Sequence, residues 1–431
     1  MMKKHILSVA IGGALLSSAI QVNAAGFQLA EYSATGQGRS FAGEAAIADN
    51  ASAQGRNPAL LSYLDGRQFS AGAIYVMPDV DVEGNMTLMQ PSMSFDASIY
   101  DVADNAVVPN FYYSTRIDEQ WAWGLAVNSN YGLKTELPTD HNAAVFGNHT
   151  SVTTVELNPN LAYRLSEQVS IGAGLRVVYG EGEISASVPT WMAAAVPVPA
   201  GTQLKGLKGD DVALGWQVGS TWQVDENHRF GIAYHSGVKL ELAGTASGLQ
   251  YTGGQPVSID GYMPLELPAF AEVSSFHQLD NQLAIHTSIN WTQWSVFDEL
   301  RAYFPGDVKP IGNIDSDLVK VENFNDNWRF ALGTTYQFND QWLVRTGIAV
   351  DKTAVDDEYR TITIPDSDRI WLSAGIGYQP NKDLAIDVSL TYIDAHGVSK
   401  INEFEPSVGA TFDGAADGRV WLAGIQMSYK I

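Results

Sequence analysis

The feature that most restricts the fold is a period-two alternation of apolar residues with small or polar residues. In residues 168–182 the odd positions are mostly apolar and the even positions are mostly serine, glycine or arginine, and residues 211–224 and 228–240 repeat this arrangement. Similar segments begin at residues 281, 327, 341, 368 and 383. Strands of soluble sandwiches have about 5 to 6 residues, whereas two-faced strands of about 9 to 11 residues are typical of outer-membrane barrels. We therefore predict an all-β fold, a transmembrane antiparallel β-barrel with its apolar face toward lipid.

Short polar turns set the number of strands. Six such links join consecutive alternating segments, at residues 118–120, 166–168, 225–227, 280–281, 339–340 and 380–382. Short turns of these barrels face the periplasm and long loops face the exterior. A first strand near Arg67 and a last strand ending at Ile431 complete the set. Residues 67–431 are thus predicted to form a barrel of 14 strands with long extracellular loops.

The N-terminal part of the chain does not alternate. Residues 1–24 combine two lysines, an apolar run and small residues at the end, which is the pattern of a secretory signal peptide. Residues 25–66 are rich in glycine, alanine and serine, and Asn57-Pro58 predicts a rigid turn because proline fixes its own φ and restricts the preceding residue. We interpret 25–66 as a hatch, a plug inside the lumen. The alternative is an ordinary extension between leader and barrel.

Composition excludes several functions. The chain has no cysteine, which removes thiolate catalysis and sulfur metal sites, and its net charge of −23 argues against a nucleic-acid partner. We predict no cofactor, no metal site and no enzymatic activity. The rival hypothesis of a barrel hydrolase would use His235 or His286, but both fall on the lumen side of the alternation and no Gly-x-Ser-x-Gly motif accompanies them.

Two predicted extracellular loops contain unusually apolar stretches. One includes Trp191 and Met192, and the other ends with Tyr262, Met263 and Leu265. Exposed apolar patches usually mark a binding surface or a site prone to aggregation. We predict that these residues capture a hydrophobic ligand, and packing of one loop on another is the alternative.

Seven short motifs carry a resemblance to a known family. They occupy residues 25–29, 43–49, 56–60, 128–133, 288–294, 331–336 and 364–369. In this order they resemble the outer-membrane long-chain fatty acid transporters of the FadL type, over nearly the whole mature chain. The resemblance implies a monomeric 14-stranded barrel closed by a hatch, with ligand held first on outer loops and then in an internal pocket.

The resemblance also implies which residues gate the barrel. Hatch movement would involve Phe27 and the Asn57-Pro58-Ala59 motif. A kink in the third strand would open the wall sideways, and the corresponding residues here are Asn128, Ser129, Asn130 and Gly132.

A ligand head group should meet a cation. By the alternation Arg176, Arg345, Arg329 and Lys239 point into the lumen, and each is a candidate for holding a carboxylate. Inward charges also pair with acids such as Asp387, which is the alternative role. Where the family places basic pocket residues, this chain has Gly180-Glu181-Gly182 and Asn325.

These observations predict passive uptake of long-chain fatty acids or similar hydrophobic molecules across a Gram-negative outer membrane. The expected surroundings are outer-membrane lipid and lipopolysaccharide. The alternatives are an aromatic hydrocarbon channel of the same family and a surface receptor or adhesin whose barrel is only a scaffold.

Overall fold

The computed structural model describes residues 26–89, 92–195 and 197–431, so the predicted signal peptide and Ala25 lie outside the described residues. Within these ranges the strands form one closed antiparallel barrel of 14 strands, as predicted. Closure is achieved where the first and last strands pair from Gln68 with Lys430 to Leu88 with Ala410.

Seven of the fourteen strands are interrupted once, and both parts are given. The bounds are β1 Arg67–Leu88; β2 Met93–Asp96 and Ala106–Arg116; β3 Trp121–Asn128 and Gly132–Glu136; β4 His149–Arg164; β5 Val169–Ser187; β6 Gln203–Gln223; β7 His228–His235 and Val238–Ser247; β8 Ile259–Leu267 and Phe270–Gln278; β9 Leu283–Thr292 and Glu299–Tyr303; β10 Ser316–Val321 and Asn327–Gln337; β11 Trp342–Asp351; β12 Asp368–Tyr378; β13 Leu384–His396 and Ser399–Glu405; β14 Ala410–Lys430.

Uninterrupted strands follow the alternation expected of a lipid-facing wall. On β12, Leu372 and Ile376 are about half exposed on the outer face, whereas Arg369, Trp371 and Ser373 are buried on the inner face. Such exposure of large apolar side chains is unfavourable in water and favourable in hydrocarbon.

Aromatic side chains mark the two edges of this wall. The outer row includes Trp291 of β9, which is paired with Trp328 of β10, and Tyr392 of β13, which lies 4.8 Å from Trp421 of β14. The row at the periplasmic edge includes Trp342 and Tyr378, stacked at 4.3 Å. Amphipathic rings prefer the two interfaces of a bilayer. Strand parts above the outer row, including Ser316–Val321 and Ser399–Glu405, therefore lie on the extracellular side of the membrane.

Helices are few and short. They span Ala34–Gln37, Thr190–Ala193 and Leu249–Thr252, with 3₁₀ turns at Ala51–Gly55, Pro58–Tyr63 and Trp294–Val296. Among the described residues none is long and apolar enough to cross a bilayer.

Residues 26–66 occupy the interior of the barrel. Almost all of them are buried, and their turns are capped by side chains such as Asn50, whose oxygen accepts from the Ser52 amide at 2.9 Å. Inward glycines allow this close approach. A Cβ atom added at Gly375 would lie 2.9 Å from the Cα of Gly38, and one at Gly347 would collide with the backbone of Arg39. The wall and the segment inside it are thus shaped to each other.

Candidate functional site

The end of the inner segment is held by an aromatic cluster. The Phe27 ring lies 4.7 Å from Trp294, 5.3 Å from Phe297 and 6.1 Å from Tyr131 in edge-to-face arrangements, and Phe27 is buried. Gly26 adopts a φ of 59°, and a Cβ atom there would meet the Trp294 ring at 2.6 Å. Glycine therefore permits the chain to pass directly beneath this tryptophan.

The same end fills the interruption of β3. The Leu29 amide donates to the Asn130 carbonyl at 2.8 Å, and the Gly132 amide donates to the Phe27 carbonyl at 2.9 Å. On the other side, the Ser129 hydroxyl donates to the Thr154 carbonyl of β4 at 2.7 Å. Asn128 pairs with Glu156 and Gly132 with Thr153, so β3 carries one extra residue. The predicted kink residues Asn128, Ser129, Asn130 and Gly132 are thus placed at a one-residue bulge, and all four are buried.

An elongated apolar region extends outward from Phe27. Its inward side chains come from the outer parts of β7 and β8 and from neighbouring loops: Val238, Leu240, Leu242, Met263, Leu265, Leu267, Leu300 and Ile364. Leu300, Ile364, Ile184 and Val319 also border a cavity of about 460 Å³ between the extracellular loops. The cavity and the aromatic cluster at Phe27 are therefore connected through shared apolar walls.

Four charged residues border this otherwise mainly apolar cavity: Lys205, Lys320, Glu322 and Glu405. The Lys320 ammonium donates to the Thr363 hydroxyl at 2.8 Å and lies 3.0 Å from the Glu403 carboxylate. Lys205 lies 3.0 Å from Asp317. Glu322 is fully buried.

Glu322 has no hydrogen-bond partner for either carboxylate oxygen among the described residues. It follows the outer part of β10, on the extracellular side of Trp328 and hence outside the membrane band. Burial raises the pKa of Glu322 to about 8, since a charged carboxylate loses its hydration there. At neutral pH this carboxyl is mostly protonated.

Sequence reasoning missed Lys205, Lys320 and Glu322. The segment Ser316–Val321 has only six residues, too few to resemble a membrane-spanning strand, so its sequence is typical of an extracellular loop. The available signal was weak: two charged residues, Lys320 and Glu322, separated by one valine next to Val319.

Of the four predicted carboxylate ligands, Lys239 is placed on the wrong face. Its side chain is 79 % exposed on the outside and pairs with Glu266 at 3.0 Å, whereas Val238 and Leu240 point inward. The reason is the interruption at residues 236–237. Gln217 of β6 pairs with His235 and Asp210 with Ala243, so β7 carries one residue more than β6 and its side chains exchange faces.

The other three predicted cations lie inside the barrel, but each already has a partner within the protein. Arg176 is fully buried, contacts Glu156 at 2.8 Å and donates to the Ser236 carbonyl at 2.6 Å. Arg345 pairs with Asp387 at 2.5 Å. Arg329 donates to the Ser40 carbonyl at 2.8 Å and lies over Trp371, next to a small cavity of about 40 Å³.

A second large cavity, of about 570 Å³, opens on the periplasmic side. It is bordered by Arg39, Asp49, Arg345 and Asp387, with Arg39 and Asp49 joined at 2.6 Å. Charged, hydrogen-bonded walls of this kind suit water and not an acyl chain.

The predicted capture residues divide between two locations. Trp191 lies in the helix Thr190–Ala193, stacks on Phe95 at 6.2 Å and donates to the Asn142 carbonyl, while Met192 borders the 460 Å³ cavity. The second group is not an irregular loop but part of β8. Met263 and Leu265 point inward, and Tyr262 stacks outside on Tyr303 at 5.2 Å.

The Asn57-Pro58-Ala59 motif binds the inner segment to the wall. The Asn57 amide group donates to the Ala45 carbonyl at 2.7 Å and to the Ser220 carbonyl of β6 at 3.1 Å, and its oxygen accepts from the Ala59 amide at 3.0 Å. Pro58 occupies the first turn of its helix, where a missing N–H is tolerated. This arrangement makes the motif an anchor.

The two histidines have structural partners. His235 shares a hydrogen bond of 3.2 Å with the Gly55 carbonyl and stacks on Phe270, and His286 contacts the Thr335 hydroxyl at 2.9 Å. Among the hydrogen bonds of the described residues, neither histidine is paired with a serine hydroxyl. Both histidines thus take part in contacts within the lumen, His235 with the inner segment and His286 between strands of the wall.

Comparison with known proteins places these features in a family. A model of the outer membrane protein transport protein family (OMPP1/FadL/TodX) matches residues 15–431. A long-chain fatty acid transport protein of Escherichia coli O6:H1 is 37 % identical over 99 % of this chain and 98 % of its own length. A 47 kDa outer membrane protein of Pasteurella multocida is also 37 % identical, over 96 % of this chain and 97 % of its own.

Solved structures agree on the fold. A FadL homologue of Pseudomonas aeruginosa superposes with a TM-score of 0.82 at 23 % identity, covering 94 % of this chain and all of that one. The toluene transporter TodX of Pseudomonas putida gives a TM-score of 0.67 at 19 % identity, with 96 % and 100 % coverage. With the family model matched from residue 15 to the last residue, this chain is an outer-membrane barrel that belongs to the outer membrane protein transport protein family.

Proposed function

We propose that the protein takes up long-chain fatty acids passively across the outer membrane. The observation that carries this proposal is the 460 Å³ cavity, whose apolar walls lead toward Phe27 and whose border includes Lys320 and Lys205. Each buried methylene contributes about 0.8 kcal/mol, so an acyl chain can bind tightly without covalent or metal chemistry. The fatty acid transport activity that the enteric relatives are named for supports the same substrate class.

In this proposal residues 25–66 act as the hatch. Ligand enters between the extracellular loops near Met192 and its tail occupies the apolar region above Phe27. Withdrawal of residues 26–29 from the aromatic cluster then connects that region to the bulge at residues 129–131. A terminus is the least anchored part of a plug, whereas Asn57 keeps the remainder attached to β6.

Release through the wall suits the ligand better than release along the lumen. The periplasmic cavity is bordered by ion pairs such as Arg345–Asp387, where an acyl chain would lose its apolar surroundings. At the bulge of β3, by contrast, Asn130 and Gly132 are hydrogen-bonded to the backbone of residues 27–29, so withdrawal of that segment would free this stretch of the wall for lateral release. We propose that the protein does this as a monomer, surrounded by outer-membrane lipid and lipopolysaccharide.

Growth of a deletion strain tests the substrate class. Loss of growth on oleate, restored by the wild-type gene, is the expected result, with growth on succinate as the control. A defect on toluene with normal growth on oleate would instead identify a hydrocarbon channel. Normal growth on both carbon sources would leave a receptor or adhesin as the better interpretation.

A further inference from the structure

Glu322 is an unexpected group to find at an apolar cavity. Both oxygens are buried and unpartnered among the described residues, although isolated buried carboxyl groups are rare because they forfeit hydration without replacing it. An unsatisfied buried polar group destabilises the folded protein. The presence of a carboxyl group that destabilises the empty protein is explained if a bound ligand supplies its hydrogen-bond partner.

The surroundings restrict what that partner can be. Lys205 of β6, Lys320 of β10 and Glu405 of β13 border the same cavity as Glu322. The charges of Lys320 and of Glu403 of β13 also act on the Glu322 carboxyl. Glu403 is engaged by Lys320, and Glu405 accepts from the Ser407 amide at 3.0 Å. Neither acid is therefore bonded to Glu322, which has unused hydrogen-bonding capacity at the border of the cavity.

We propose that Glu322 determines head-group specificity by donating a hydrogen bond to the carboxylate of a fatty acid, while Lys320 supplies the positive charge. A hydrogen bond from a neutral acid to a carboxylate is charge-assisted and about twice as strong as one between neutral groups. An oxygen-free hydrocarbon would leave both Glu322 and Lys320 without a new partner. The cavity thus selects amphiphiles with an acidic head, a conclusion that rests on the proposed function and assigns the residue responsible.

Binding of two ligands of equal chain length tests this assignment. The full chain in nanodiscs is titrated with tritiated palmitate and with tritiated hexadecane, and empty nanodiscs are used to subtract partition into lipid. For Glu322→Leu we expect palmitate affinity to fall about tenfold or more, with hexadecane affinity unchanged or increased. Glu322→Gln keeps an N–H donor and should lose less than Glu322→Leu at pH 7.

A pH series separates hydrogen bonding from packing. Wild-type affinity for palmitate should fall between pH 7 and pH 9 as the Glu322 carboxyl ionises, whereas Glu322→Gln, which does not titrate, should show a flatter profile. Glu405→Leu is the matched control, since Glu405 borders the same cavity with its hydrogen bond already made. It should retain the wild-type preference for palmitate.

Two results would overturn the assignment. One is an unchanged ratio of palmitate to hexadecane affinity in Glu322→Leu; the other is the same pH profile in wild type and Glu322→Gln. In either case, palmitate binding by wild type together with loss of growth of the deletion strain on oleate would leave the proposed function standing. If wild type itself binds no palmitate and the deletion strain grows normally on oleate, the proposed function fails together with this inference. Thermal unfolding of each variant verifies folding, and Glu322→Leu should be at least as stable as wild type.

Discussion

Removal of the Phe27 ring should release the end of the proposed hatch. Phe27 is 1 % exposed and contacts three aromatic rings at 4.7 to 6.1 Å. Replacing a fully buried phenylalanine by alanine costs about 3–5 kcal/mol. If that cost falls on the closed position of residues 26–29 and not on the barrel, the open fraction rises by about 10² to 4 × 10³, since about 1.4 kcal/mol corresponds to a factor of ten.

The absence of cysteine makes this measurable by thiol labelling. A single Gln28→Cys substitution introduces one reactive group at the segment that moves, and the change also removes the hydrogen bond from Thr292, equally in every variant compared. Maleimide labelling of Gln28→Cys should accelerate by about 10² to 4 × 10³ when Phe27→Ala is added.

The control is Phe324→Ala, which removes a ring from the same cluster. Phe324 lies 5.7 Å from Trp294 and 5.1 Å from Phe297, and among the ring contacts of the described residues none joins it to Phe27. It should change labelling by much less. Equal acceleration by both substitutions, or none with Phe27→Ala, would show that Phe27 does not hold the hatch closed.

Three further predictions address charge. Burial raises the pKa of Glu31 from 4.5 to about 7, so the closed hatch binds more protons than an open one and loses stability as pH rises from 4.5 through 7. Labelling of Gln28→Cys, corrected for the pH dependence of a free thiol peptide, should therefore be faster at pH 8 than at pH 5. Glu31→Gln should abolish this difference. Lys320→Ala should weaken palmitate binding by roughly 1.5–3 kcal/mol, the range for hydrogen bonds to charged groups, while Lys239→Ala on the outer face leaves it unchanged in the same titration. Arg176→Ala should destabilise the barrel by about 3–5 kcal/mol in urea-induced unfolding, because Glu156 is left buried without its partner, and Arg176→Ala with Glu156→Gln should recover part of the loss; no recovery would argue that packing of the arginine is the larger effect.

Local changes in strand register place the apolar wall of the cavity inside the barrel. Ser236 interrupts β7 by donating its amide to the Trp216 carbonyl at 2.9 Å, while its hydroxyl accepts from the Trp216 amide. On the neighbouring strand, Pro268 lacks the N–H that an uninterrupted ladder needs. Both strands therefore change phase at the same height, and the apolar residues beyond these points line the interior instead of the lipid face.

The sequence by itself determined the barrel, its fourteen strands and the lipid-facing sides of the uninterrupted strands. Alternation has a period of two, so any residue in a regular strand can be assigned to a face by counting. The periplasmic turns of such barrels are short and polar, so they can also be counted in the sequence. Resemblance in seven motifs added the family.

Only the tertiary structure decided where the counting fails. Val238 and Leu240 fit a lipid-facing pattern in isolation, yet the bulge at residues 236–237 turns them inward and places Lys239 outside. Likewise Lys320 and Glu322 become cavity residues only because the outer part of β10 lies across from Thr363 and Glu403. Register shifts and contacts between distant segments depend on pairing partners that local alternation does not encode, and in this protein the candidate binding site is made from them.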